Sequence, residues 1–341
     1  MKLAIVLFNL GGPDSLEAVE PFLRNLFTDP AILPLPGPLR EIFGRLIARR
    51  RAPLTRRIYA RIGGRSPILE ETEAQARALE HALGARGFVA RAFIAMRCWR
   101  PSSDEAARAL KAWGAERIVL LPLYPQYSTT TTASSLTDWA RAARAIDISA
   151  PTATVCCYPT AKGFIEALVQ SIRQAMAKVK PEKSYRLLLS AHGLPERVIL
   201  KGDPYQWQVE QTAGAVVEKL GMTDLDWRVC YQSRVGPLKW IGPATDEEIR
   251  RAGAQGMGVI VAPIAFVSDH SETLVELDMD YSKLARESGV PHYLRAAVVG
   301  ASEAFIEALA ELVADARPGE TVRGGALCLE ALRCGFREAC P

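Results

Sequence analysis

Only four histidines occur in the 341 residues, at His81, His192, His270 and His292. His192 ends the run LLLSAH and is followed by Gly193 and Pro195. A histidine at the carboxyl end of a buried strand sits on a rigid mount, and an ordinary pKa of about 6.5 lets it take up and release protons near neutral pH. A second group lies in SDHSETLVELDMDY, residues 268–281. There Glu272, Glu276 and Asp280 recur every four residues and share one face of an α-helix, with Ser268 and Asp269 read as its caps and His270 at the turn. Three carboxylates in a row repel each other, and a solvated helix face is the bland explanation. The stripe begins where a strand ends, however, and that is where open α/β sheets bind ligands. His81 falls in a helical pattern as a surface residue, and His292 is given no role.

The elements that must carry these residues alternate along the chain. Apolar runs predict strands at 2–8, 90–97, 117–123, 153–158, 186–191, 227–231, 258–264 and 293–298. Helical patterns fall at 15–27, 70–86, 103–114, 161–179, 208–220, 246–254, 271–287 and 302–315. Capping boxes are read at Asp14 with Glu17, Ser102 with Glu105 and Thr245 with Glu248. This alternation predicts an α/β protein with parallel sheets flanked by helices. A single (β/α)₈ barrel is disfavoured by the irregular insert at 28–66 and the uneven repeat. The expected division is an N-terminal domain 1–155 bearing the insert, a C-terminal domain 156–300, and a helix with a cysteine-bearing tail at 301–341.

Composition narrows the class. With 49% hydrophobic and 23% charged residues and a net charge of +4, the chain reads as globular and not as a nucleic-acid binder. No apolar run approaches the ~20 residues of a membrane span. The opening MKLAIVLFN reads as a first strand, so a cytosolic chain is expected, whose seven cysteines are thiols or metal ligands. FNLGGPD lacks the G-x-G-x-x-G spacing of a dinucleotide site, and no H-E-x-x-H, G-x-S-x-G or P-loop occurs. Within the insert, Leu39, Ile42, Phe43, Leu46 and Ile47 keep helical spacing among Arg40, Arg45, Arg49, Arg50 and Arg51. Either this helix covers a core, or it is an apolar, basic lip that meets a membrane or an acidic apolar ligand.

Several segments, in order, resemble the ferrochelatase family: FNLGGP at 8–13, RIGGRSPI at 61–68, LPLYPQYS at 121–128, SAHGLP at 190–195, GDPY at 202–205, YQSRVGPLKWIGP at 231–243 and PIAFVSDHSETLVELD at 263–278. The resemblance covers nearly the whole chain. It implies two Rossmann-like domains of the class II chelatase type, with a porphyrin bound between them. It also implies insertion of Fe²⁺ into protoporphyrin IX as the last step of haem biosynthesis. Other readings are a coproporphyrin ferrochelatase, a chelatase for another metal, or a porphyrin- or haem-binding protein without turnover.

By that resemblance His192 and Glu272 are the catalytic pair that meets iron and pyrrole protons, and Glu276 and Asp280 continue outward as a path for metal or protons. Leu10, Trp240 and Phe266 are expected as apolar walls. Arg57, Arg61, Ser66 and Arg97 are expected to bind propionates, since guanidinium and hydroxyl groups suit carboxylates. Cys98 stands where animal members carry tyrosine. The tail cysteines Cys328, Cys334 and Cys340 are spaced C-x₅-C-x₅-C, which fits neither a zinc ribbon nor a bacterial ferredoxin. Family members with such tails often hold a [2Fe–2S] cluster on three tail cysteines and one internal cysteine. The usual internal position is Thr129 here, which leaves Cys157 or Cys156 as the fourth ligand. Zinc, or a tail of thiols, is the alternative. Expected partners are protoporphyrin IX, Fe²⁺, the inner-membrane surface and a second copy of the chain. No nucleic acid is expected.

Overall fold

The computed structural model describes residues 1–179, 184–234, 236 and 238–323. In chain order these form β1 (Lys2–Asn9), α1 (Val19–Phe27), α2 (Gly37–Ala60), α3 (Ile68–Ala85), β2 (Val89–Met96), α4 (Ser103–Trp113), β3 (Arg117–Pro122), α5 (Thr132–Ala145) and β4 (Thr152–Cys157). Next come α6 (Lys162–Met176), β5 (Tyr185–His192), α7 (Glu196–Leu200), α8 (Tyr205–Leu220), β6 (Trp227–Gln232), α9 (Thr245–Ala254), β7 (Gly258–Pro263), a π-helix (Glu272–Tyr281) and α10 (Ser282–Glu287). The described chain ends with β8 (Tyr293–Arg295), α11 (Glu303–Asp315) and β9 (Thr321–Arg323).

Two parallel sheets result, ordered β2-β1-β3-β4-β9 and β6-β5-β7-β8. Strands covered on both faces need apolar residues at every position, and β1 and β7 are buried almost end to end. The described residues divide into two compact units, 1–157 with 309–323 and 158–308. Strand β9 therefore returns the chain to the first sheet. It pairs in parallel with β4, and Arg323 is the register partner of Cys157. This three-residue strand is too short to show periodicity, and the sequence reading missed it.

Of the three expected capping boxes, one is complete. The Ser102 hydroxyl accepts the Glu105 amide at 3.3 Å, while Glu105 accepts the Ser102 amide at 2.7 Å. Asp14 and Glu17 cap nothing, because α1 starts later, at Val19, with no side-chain cap. At α9 it is Glu247 that accepts from the Ala244 amide. Glu248 is buried and meets Arg186 and Arg251 instead.

The insert helix packs on a face that its large residues do not mark. Gly44, Ala48, Ala52 and Tyr59 form the buried side of α2. A Cβ on Gly44 would lie 2.9 Å from the Phe27 carbonyl oxygen, so the close approach of α1 requires glycine there. Leu39, Ile42, Phe43 and Leu46 are exposed, Ile42 by 63%. The core-covering alternative therefore fails for these four side chains, because small residues make the contact and leave the large ones outside.

Candidate active site

Strand β5 carries His192 at its carboxyl end, in register with Gln232 on β6. The segment after it is tied down by backbone bonds. The Gly193 amide donates to the Gln232 carbonyl at 2.8 Å, the Ile241 amide to Leu194 at 3.0 Å, and the Glu196 amide to Lys239 at 2.9 Å. A Cβ on Gly193 would sit 2.9 Å from the Gln232 oxygen and 3.4 Å from the Trp240 ring. Glycine thus lets the histidine mount press against the Trp240 loop.

The second group follows β7. The chain turns through Phe266 and His270, and the His270 amide donates to the Thr273 hydroxyl at 3.0 Å while that hydroxyl donates back to the His270 carbonyl. This reciprocal pair starts the helix. The Asp269 carboxylate, read as a cap, is taken by Arg295. The helix has π geometry, whose bonds close over five residues instead of four. The four-residue spacing of Glu272, Glu276 and Asp280 therefore does not define one straight face. Tyr281 instead reaches back five residues, its hydroxyl donating to Glu276 at 2.9 Å.

Glu272 stands between two histidines. One oxygen is 3.4 Å from His192 Nδ1 and the other 3.5 Å from His270 Nε2. The side chains of His192 and Glu272 are 35% and 32% exposed, open enough for a substrate to reach. The Phe266 ring packs edge-on against His270, at a centroid distance of 4.6 Å, and against His192 at 6.4 Å. Burial alone would lower the His192 pKa, but the charges of Glu272 and Glu276 outweigh it and hold the imidazole above its ordinary value. Burial would raise Glu272, yet its histidine neighbours hold it down to about 2. For His270 burial prevails and favours the neutral ring. The site thus favours the ionised carboxylate at Glu272, the protonated ring at His192 and the neutral ring at His270.

Glu276 is engaged differently. Its oxygens accept from the Ser233 amide and hydroxyl, the Tyr281 hydroxyl and the Gln232 amide, the last at 3.2 Å. Gln232 also donates to the Glu272 carbonyl at 3.1 Å, and its own oxygen accepts from Ser190. Glu276 thus anchors the helix to β6. Asp280 is exposed.

Trp240 and Phe266 lie in the same unit as His192 and Glu272, and both are half-buried. The other expected ligands belong to the first unit. Leu10 packs beside the α1–α2 cluster, and Arg57 and Arg61 are exposed at the end of α2. Ser66 is buried, its amide donating to the Pro13 carbonyl and its oxygen accepting from Ile68. Arg97 pairs with the buried Asp29 at 2.9 Å and with Ser134 at 2.6 Å. Cys157 and Cys156 are both buried at the end of β4, whereas Cys328, Cys334 and Cys340 lie outside the described residues. Among the described residues no group of three or more His, Cys, Asp and Glu side chains is arranged to hold a metal ion. The residue that sequence reasoning left out of the site is His270. Its signal was present in the D-H-S-E order, two positions before Glu272.

The family model described as Ferrochelatase matches residues 2–317. A protein of Phenylobacterium zucineum named Ferrochelatase is 56% identical over 342 residues, covering 99% of this chain and 98% of its own. One of Caulobacter vibrioides with the same name is 55% identical, over 92% of this chain and 90% of its own. Among solved structures, SirB from Bacillus subtilis with Fe³⁺ superposes with a TM-score of 0.54 at 14% identity, covering 92% of this chain and 95% of its own. That likeness bears on the fold alone.

Proposed function

This chain belongs to the ferrochelatase family and inserts ferrous iron into a porphyrin, the step that ends haem biosynthesis; we propose that its porphyrin is protoporphyrin IX and that His192 accepts the pyrrole protons. The observation that carries the residue assignment is Glu272 held between His192 and His270. Insertion exchanges Fe²⁺ for two N–H protons, so the site needs a base. A carboxylate with a pKa of about 2 is a weak base, whereas His192 is raised above the usual imidazole value. His192 therefore takes one proton, releases it to solvent across its exposed edge and takes the second, and Glu272 stabilises the imidazolium that forms each time. Oxygen and imidazole groups also suit Fe²⁺ on its way through.

The apolar walls in this reading are Leu10, Trp240 and Phe266. Arg57 and Arg61 are the first choices for the propionates because they are exposed. Ser66 and Arg97 come second, since Ser66 is buried and Arg97 already faces Asp29. Asp280 is the outer carboxylate that attracts iron. Glu276 would pass metal or protons only by releasing its four donors.

The exposed apolar row on α2, set among arginines, suits the surface of an anionic membrane. It favours a porphyrin with two propionates over one with four. No helix among the described residues is long and apolar enough to cross a bilayer. In this reading the contact is peripheral, on the cytoplasmic face of the inner membrane. The tail cysteines with Cys157 or Cys156 would hold a [2Fe–2S] cluster. The pairing of Arg323 with Cys157 supports Cys157, because the tail departs beside it. A homodimer completes the assembly.

The test supplies Fe²⁺ without oxygen, together with protoporphyrin IX or coproporphyrin III, and follows the Soret band. Protoporphyrin should turn over faster, and His192→Ala should bind it without inserting iron. Preference for coproporphyrin would reverse the substrate choice, and an active His192→Ala enzyme would remove the assignment of the base.

A further inference from the structure

Arg295 ends β8 with its charged side chain only 12% exposed. Its Nε and Nη2 donate to the two oxygens of Asp278 at 2.6 and 2.9 Å, and its Nη1 donates to Asp269 at 3.1 Å. Asp269 immediately precedes His270, and Asp278 lies within the π-helix beyond Glu272. One guanidinium thus closes a clasp over the segment that carries both groups.

The clasp has a firm base. Arg295 is in register with Val261 on β7, and the next amide, Ala296, donates to the Val261 carbonyl at 2.8 Å. Two residues earlier the Tyr293 hydroxyl donates to the Leu277 carbonyl at 2.8 Å. The helix needs such support, because π geometry is rarely stable by itself. Without the guanidinium, Asp269 and Asp278 would also repel each other and their acidic neighbours.

We infer that Arg295 is a positioning residue that holds Glu272 and His270 at their working distance from His192 by clasping Asp269 to Asp278. It acts through these groups and touches no reacting atom. The inference rests on the assignment of proton transfer to His192 and Glu272. A lysine would keep the charge but could not present a planar fork to two carboxylates at once.

Arg186 supplies the control. Its side chain is buried still more deeply and pairs in the same two-toothed way with Asp226, at 3.0 and 2.7 Å, but at the start of β5, away from His192. Steady-state iron insertion and thermal melting are measured for wild type, Arg295→Gln, Arg295→Lys, Arg186→Gln and His192→Ala. Arg295→Gln should lower kcat about tenfold, as loss of an orienting partner does, with KM for porphyrin nearly unchanged. Arg295→Lys should recover part of that loss. Arg186→Gln should melt earlier yet keep kcat within about twofold of wild type. Wild-type kcat in Arg295→Gln, or an equal loss in Arg186→Gln, would overturn the clasp. If Arg295→Gln does not fold, Asp278→Asn takes its place, since it removes one tooth of the clasp without burying a bare cation. A lowered kcat there supports the clasp, and an unchanged one overturns it. An active Arg295→Gln beside an inactive His192→Ala would reject the clasp alone, whereas an active His192→Ala would reject the assignment beneath it.

Discussion

His192 Nδ1 stands 3.4 Å from Glu272 Oε1, close enough for one charge to govern the other but too far for a strong hydrogen bond. The two are coupled electrostatically without being locked, which leaves room for a proton to arrive and leave. Glu272→Gln removes the charge that raises His192 and leaves the burial that lowers it. His192 then sheds its proton at lower pH, so the acid limb of kcat/KM should move down the pH scale. The plateau should fall by about 10²-fold, because no carboxylate meets the imidazolium. A pH–rate profile of wild type and variant checks this, and an unmoved or raised acid limb would exclude His192 as the titrating base.

The exposed row on α2 makes a separate prediction. Wild-type protein should co-sediment with anionic vesicles, and Phe43→Glu should bind them less, because a carboxylate then faces the lipid. Equal binding by both proteins, or none by either, would remove the membrane contact.

Replacing Gly44 with valine should destabilise the fold by about 2 kcal/mol, since the added Cβ meets the Phe27 carbonyl and the Thr28 side chain, which cannot easily retreat. Leu46→Ser, on the exposed face of the same helix, should change stability by about 0.5 kcal/mol or less. Thermal melts of the two variants decide the matter. Equal midpoints would mean that the α1–α2 contact is looser than described.

The strands were legible because a parallel sheet demands unbroken apolar runs, and the expected 258–264 and 186–191 match β7 and β5 within two residues. His192 was legible for the same reason, as a histidine at the end of such a run. The packing face of α2 was not, because its contacts are made by Gly44, Ala48 and Ala52, whose small side chains leave no mark in a hydrophobic pattern. The π-helix was hidden too: a four-residue spacing of acids suits an α-helix, whereas the backbone closes over five residues and Tyr281 reaches Glu276. The clasp was equally invisible, since Arg295 lies far from Asp269 and Asp278 in sequence and meets them only through the β7–β8 register.

Anaerobically purified protein should be reddish brown, with about two irons and two sulfides per chain and visible absorption that dithionite bleaches. Serine at Cys328, Cys334 or Cys340 should remove the colour, and Cys157→Ser should do so where Cys156→Ser does not. Cys98→Ser and Cys230→Ser should keep it, because neither lies on β4, the strand that Arg323 joins just before the tail cysteines. A colourless preparation containing zinc would replace the cluster with a zinc site.

Strand β9 places the first and last parts of the described chain in one sheet. On the ribosome, the first unit reaches residue 157 with β4 as an open edge, its amides and carbonyls on that side unpaired, while all of the second unit is still to be made. That edge closes only when residues 321–323 emerge. A transcript truncated anywhere in the second unit therefore yields a protein with a bare strand bearing two cysteines at its end, a species marked for aggregation or degradation and not a half-working enzyme.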